Sequence, residues 1–312
     1  MVKEVAVLLA ALGGAGNLAA VAEDAGGQRL KIVYDAAEGR VDVSENGIPV
    51  LRYNHGTTSV PEGIGSEYAR GDYIHPLYGL DGEILTDDYP KDHAHHRGVN
   101  WSWATLQWQG EMRDPFAVRG AWARPVDLRA KSDAESATIE AESVWKWDDK
   151  EPVVAETVVI RVFPADAQGR VIDFEIRLKA LVEGIEFAGR LKEGYSGFNA
   201  RMAPGDAQGI RLHADPEGAS PRRAWGDYDA VFPGGKGKSG LAIFQCVTNP
   251  QYPSEWREYP SLNFFQPAFP GGALIPMPKD ETITLNYRVW IHRDAPDEAA
   301  LARQWDIYCG EP

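Results

Sequence analysis

The sequence predicts an all-β protein, a large two-sheet antiparallel supersandwich with one short C-terminal helix. Three observations carry this expectation. The dominant hydrophobic period is two, turn-forming pairs separate the alternating runs, and only one stretch has a helical pattern. Glu156–Phe163, Val171–Leu178 and Thr282–Ile291 alternate apolar with polar residues, as strands with one buried face do. Ala137–Trp145 and Arg29–Tyr34 behave similarly, and Glu38-Gly39, Asn46-Gly47, Gln168-Gly169 and Gly234-Gly235 punctuate the runs. Asp297–Tyr308, opened by Pro296 and closed near Gly310, is the predicted helix, packed on a sheet edge.

The 312 residues, 44% hydrophobic and 25% charged, fit a soluble globular chain with a substantial core. No repeat and no Ser/Gly- or Pro-rich linker divides it, so residues 30–312 are expected to form one sandwich domain, with a division near residue 130 as the alternative. Residues 1–22 read as a signal peptide. Lys3 precedes an Ala/Leu/Gly-rich stretch that ends at Ala20-Val21-Ala22, the small-x-small pattern a signal peptidase accepts. A periplasmic or secreted location follows as an expectation. Beyond residue 30 no apolar run approaches the length of a spanning helix. Cys246 and Cys309 are too few for a disulfide framework, and one bridge between them is left open.

The formal charge of −14 argues against a nucleic-acid partner, because phosphate binding needs a clustered positive surface. A small carbohydrate remains compatible, and ten tryptophans and twelve tyrosines supply faces that could stack on sugar rings. Four of the seven histidines fall in Tyr73-Ile-His75-Pro-Leu-Tyr78-Gly79 and Asp92-His93-Ala-His95-His96-Arg97-Gly98, followed by Trp101 and Trp103. Imidazole binds metals and trades protons near neutral pH, so chemistry is expected here. His55 and His213 stand alone in loop-like sequence, where exposure is the default, and His292 is left outside the site.

The two histidine blocks, together with Leu85-Thr86-Asp87-Asp88-Tyr89-Pro90, resemble a bacterial family labelled methane oxygenase PmoA. Gly194–Met202, Trp225-Gly-Asp227-Tyr228, Asn249-Pro250-Gln-Tyr252-Pro253 with Trp256, and Asn263-Phe264 extend the resemblance, which spans roughly residues 30–295. It implies an exported bacterial protein of carbohydrate utilisation, with a sandwich similar to the galactose-mutarotase-like fold. No oxygenase activity is carried over, because a methane monooxygenase subunit spans the membrane many times and this chain has no such span.

Two uses of the site residues follow. In an extended segment His93 and His95 would share one face and His96 the other, so His93, His95 and His75 could grip a divalent ion, although no family-independent metal spacing is present. The cofactor is therefore left open. Without metal, His75, His93 or His96 would serve as acid and Glu193, Asp227 or Glu255 as base at a sugar carbon, the pairing that the mutarotase-like resemblance implies, with His95 in the same cluster. Arg97 and Arg201 would hold hydroxyls or a developing oxyanion, Trp101, Trp225 and Trp256 would be ring platforms, and Asn249 and Asp227 would join them as substrate contacts. The plainer alternatives are an Arg97 pair with Asp92 or Asp88 and an Arg201 pair with Asp227. The expectation is a carbohydrate-active enzyme of epimerase, lyase or hydrolase type, with a non-catalytic carbohydrate-binding sandwich as the alternative.

Overall fold

The computed structural model of the chain describes residues 20–21, 29–212 and 224–309. The predicted signal peptide lies outside them apart from Ala20–Val21, which pair with Tyr34 and Val33, and His213 also lies outside.

Two large antiparallel sheets, of nine and eight strands, are accompanied by a small four-stranded one. The alternating runs form their strands. Ala137–Trp147 buries every second residue, and Glu151–Val162, Gly169–Ala180 and Thr282–Arg293 are its successors across the eight-stranded sheet. The Asn46-Gly47 turn joins Arg40–Glu45 to Ile48–Asn54, both turn residues having positive φ, as a two-residue hairpin requires. The helix Glu298–Cys309 forms where the sequence predicts it, and its first turn is held by the amide of Ala300 donating to Asp297 Oδ1.

The inner faces of the two large sheets make a shared core. Phe198 of the nine-stranded sheet stacks on Tyr287 of the other at 4.5 Å and meets Phe174 edge-on at 5.0 Å. Tyr228 and Phe265 bridge the sheets in the same way. A second apolar cluster on the outer face of the eight-stranded sheet seats the helix, with Leu301 and Trp305 against Trp225, Phe244 and Trp290.

The expectation that three tryptophans serve as ring platforms is corrected by this packing. Trp101 and Trp256 belong to the main core, and Trp225 lies beneath the helix, so these three rings face protein and not an open surface. Large aromatic rings lose most by staying wet, and a sandwich this size has room for them. His55 is also buried, its Nε2 3.1 Å from the carbonyl oxygen of Glu142.

Candidate functional site

The histidine segment is a turn, not a strand. The amide of His93 donates to Pro90 O and that of His96 to His93 O, so residues 93–96 curl over themselves. Strand alternation therefore does not apply, and His96 joins His93 and His95 where an extended chain would have sent it to the opposite face. The three rings lie 4.7 to 5.7 Å apart. His96 is sandwiched between His93 and Phe264, at 4.8 and 4.6 Å with interplanar angles of 26°, and His95 meets Phe116 edge-on.

Arg97 makes that turn possible. Its guanidinium donates to the carbonyl oxygens of Ala94 (2.6 Å) and His96 (2.9 Å) and to Tyr68, lies 3.4 Å from the centre of the Tyr89 ring, and approaches Asp88 at 3.3 Å. With its side chain fully buried, it has the plainer role of the two expected, holding the loop instead of a ligand. Gly98 follows it because a Cβ there would sit 2.0 Å from Ile74 O.

Arg201 ends the strand Gly197–Arg201 directly below the turn. It donates to Asp92 Oδ1 at 2.9 Å, and its Nη1 faces His96 Nδ1 at 3.4 Å, which assigns the remaining ring proton of His96 to Nε2. Its partner is thus Asp92, with Asp87 at 3.9 Å, and not Asp227. Asp92 in turn lies 3.2 Å from His93 Nδ1. Burial acts to raise the Asp92 carboxyl, but the His93 contact and the Arg201 guanidinium outweigh it and keep it below its usual value.

The imidazoles are not electrically equivalent. Burial, reinforced by His93, Arg70, Arg119 and Arg97, holds His95 down to about 4. Burial with His95, His93, Arg201 and Arg97 holds His96 down to about 2. Both are neutral at pH 7, which removes His96 from the candidate acids. His93 has 37% of its side chain exposed and is the one of the three in contact with a carboxylate.

His75 does not join the cluster. Its Nδ1 is 3.0 Å from Thr86 Oγ1, which also accepts the Leu77 amide, so the hydroxyl proton is free to go to His75. Burial, then Arg97 and Arg52, lower it to about 4.

The three clustered rings open on a hollow of about 480 Å³, lined also by Phe116, Arg119, Arg190, Glu193, Tyr195, Tyr259, Leu262 and Phe264. Glu193 is the one predicted carboxylate on this wall. Arg190 is braced there, Nε donating to Tyr195 Oη and Nη2 to Asp114 Oδ2, both at 2.9 Å. Burial raises the Asp114 carboxyl against the pull of the Ala117 amide and Arg190. A second hollow of about 480 Å³, lined by Thr105, Met112, Arg113 and Asp114 among others, shares Arg119 and Arg190 with the first. The aromatic walls are Phe116, Tyr195, Tyr259 and Phe264, none of them a site residue in the sequence analysis. The Gly194–Met202 and Asn263-Phe264 blocks were the only signal pointing near them.

The other candidates are used elsewhere. Asp227 accepts from His292 Nε2 at 2.7 Å and from Arg211 and is fully buried, so it presents no open oxygen to a ligand. Asn249 staples Asn286, its side chain bonding both the amide and the carbonyl of that residue. Glu255 pairs with Arg257 at 2.7 Å. Among the described residues no group of three His, Cys, Asp or Glu stands in a metal-holding arrangement. The face-to-face packing of His93 on His96 explains this for the histidines, since stacked rings do not converge their lone pairs.

Fold and site together define an antiparallel β-sandwich protein with a histidine-lined hollow. The chain belongs to the Family of unknown function (DUF6807), matched over residues 40–306. No curated protein matches it. Among solved structures it is similar to a putative kojibiose phosphorylase from human microbiome, at 9% identity and a TM-score of 0.35, covering 86% of this chain and 31% of that one. It is also similar to galactose 1-epimerase from Lactobacillus acidophilus NCFM, at 9% identity and a TM-score of 0.41, covering 89% and 98%. None of these matches bears the methane-oxygenase label. No described helix is long and apolar enough to cross a membrane.

Proposed function

We propose that the protein is an exported carbohydrate-active enzyme that moves a proton on a sugar held in the hollow, with His93 as the proton carrier and Asp92 as its orienting carboxylate. The carrying observation is that three imidazoles share the wall of one open hollow while only His93 is both solvent-accessible and backed by a carboxylate. Such a dyad suits acid–base work at an anomeric or neighbouring carbon, as in an epimerase, lyase or hydrolase. Neutral His95 and the Nε2–H of His96 are left to accept and donate hydrogen bonds to hydroxyls. Tyr195 and Tyr259 supply faces and hydroxyl edges for a ring. Arg119 and Arg190 stand at the junction with the second hollow, so a ligand longer than one ring, a disaccharide or a glycoside, fits this reading.

The test is turnover of a panel of mono- and disaccharides, glycosides and sugar acids followed by proton NMR, with wild type beside His93→Ala. The expected result is conversion of one chemical class, reduced by about 10²–10⁴-fold in the variant. Equal rates in the two proteins would remove His93 from the chemistry. Saturable binding of a sugar with no conversion by wild type would favour the second reading, a non-catalytic binding sandwich, for which the packed, neutral state of His95 and His96 speaks.

A further inference from the structure

We infer that Cys246 and Cys309 form a dithiol site that closes to an intramolecular disulfide, fastening the last turn of the C-terminal helix to the end of the strand Lys238–Gln245. Neither residue takes part in the hollow described above, and the inference is independent of the function proposed for it.

The geometry is local and convergent. Cys246 immediately follows the strand Lys238–Gln245, and Cys309 is the last residue of the helix. The Cys309 thiol lies 3.3 Å from Gln245 O, the carbonyl of the peptide unit that leads into Cys246, and Trp305 Nε1 donates to the same oxygen at 3.2 Å. Each thiol acts on the protonation of the other, and the backbone amide of Val247 acts on both, as befits neighbouring sulfurs. Both cysteines are half-buried, with Val247 and Thr248 exposed beside them, so a small disulfide can reach the pair.

The electrostatics set the order of events. The Cys246 thiol is lowered, first by the bond from Cys309 and, against burial, by the Thr248 hydroxyl at 3.1 Å and nearby amides; the Cys309 thiol is raised correspondingly. Cys246 is thus the attacking thiolate and Cys309 the resolving thiol. With a low-molecular-weight disulfide as oxidant, Cys246 Sγ bonds one sulfur of the reagent and expels the other half as a thiol. Cys309 then loses its proton, attacks Cys246 Sγ and expels the second half. Two protein thiols are oxidised, and one reagent disulfide is reduced to two thiols.

The experiment incubates the full chain with oxidised glutathione and reads intact mass, free thiols and Tm. The expected product is lighter by two hydrogens, has lost both free thiols and carries no glutathione, and its Tm rises by roughly 3–8 °C, reversibly with dithiothreitol. Cys309→Ser should instead accumulate one glutathione adduct at Cys246, and its Tm should not respond to reduction as the wild type does. Wild type that keeps both thiols under conditions where Cys309→Ser is modified, or that carries two glutathione adducts, would overturn the inference. A bridge that forms in Cys246→Ser material, necessarily between chains, would overturn it equally.

Discussion

Arg201 Nη2 and Asp92 Oδ1 meet at 2.9 Å, and this contact ties a strand of the nine-stranded sheet to the turn that carries the three histidines. Through it the rigid sheet sets the position of a carboxylate that lies outside any regular element, and the carboxylate in turn faces His93. Asp92→Asn keeps the size of the side chain and removes its charge. It is expected to lower turnover with little change in KM, because an amide does not orient and polarise the His93 ring as a carboxylate does. Unchanged turnover in a folded variant would mean that Asp92 only braces the turn.

Arg97→Met should destabilise the fold more than any surface substitution. It leaves the carbonyls of Ala94, His96 and Tyr68 without their donor and Asp88 without its cation, and loss of one partner of a buried pair costs about 3–5 kcal/mol. Burial already pushes the Asp88 carboxyl up to about 6 in spite of Arg97, and removing the guanidinium should raise it further. Urea unfolding at neutral pH measures the loss; a change below about 1 kcal/mol would show the loop to be self-supporting.

Stability should pass through a maximum between about pH 6.5 and 7. Histidines of the unfolded chain titrate near 6.5, whereas His75 and His95 titrate near 4 and His96 near 2 in the native state. Their contribution is complete above pH 6.5 and is lost as the pH falls, since only the unfolded chain then takes up protons. Glu156 has the opposite sign. Burial and Asp72 push it up to about 8, against hydrogen bonds from Trp101 (2.6 Å) and Trp145 (2.8 Å), so stability falls as the pH rises from the ordinary carboxyl range towards 8. Urea midpoints from pH 4 to 9 test both limbs.

Glu156→Gln separates the second limb from the first. The amide points a donor at one of the two indole N–H groups, costing about 1–3 kcal/mol at pH 6. The variant lacks the titration, so its deficit against wild type should shrink between pH 6 and pH 8.5. A deficit independent of pH would show that Glu156 ionises normally.

Gly98→Ala probes the floor beneath the histidine turn. Its Cβ would lie 2.0 Å from Ile74 O, so the strands Tyr73–Leu77 and Val99–Ser102 must separate or the chain must shift. A loss of several kcal/mol with a broadened histidine NMR spectrum is expected, as for other forced backbone overlaps. Wild-type stability would mean that the two strands tolerate a wider gap.

The strands were legible because alternation is local. Each residue of Ala137–Trp147 declares its face by its own polarity, and the Asn46-Gly47 hairpin announces itself in two letters. The helix was legible for the same reason. The three clustered histidines could be singled out by type, yet the face each would take depended on a conformation that the sequence did not reveal. Trp101, Trp225 and Trp256 were misplaced because an aromatic ring suits a sugar and a core equally well, and only the surrounding layers decide between them.

The sequence by itself determined which residues could do chemistry and that they would ride on an antiparallel sandwich, since side-chain identity and a period of two are written along one chain. Tertiary structure alone decided that His93, His95 and His96 share a wall with Tyr195, Tyr259 and Phe264, that Arg97 is structural, and that Asp227 belongs to Arg211 and His292. Those outcomes depend on which distant segments meet and on how much water remains between them. Burial and neighbouring charge, which set the protonation of each imidazole, arise only from that meeting.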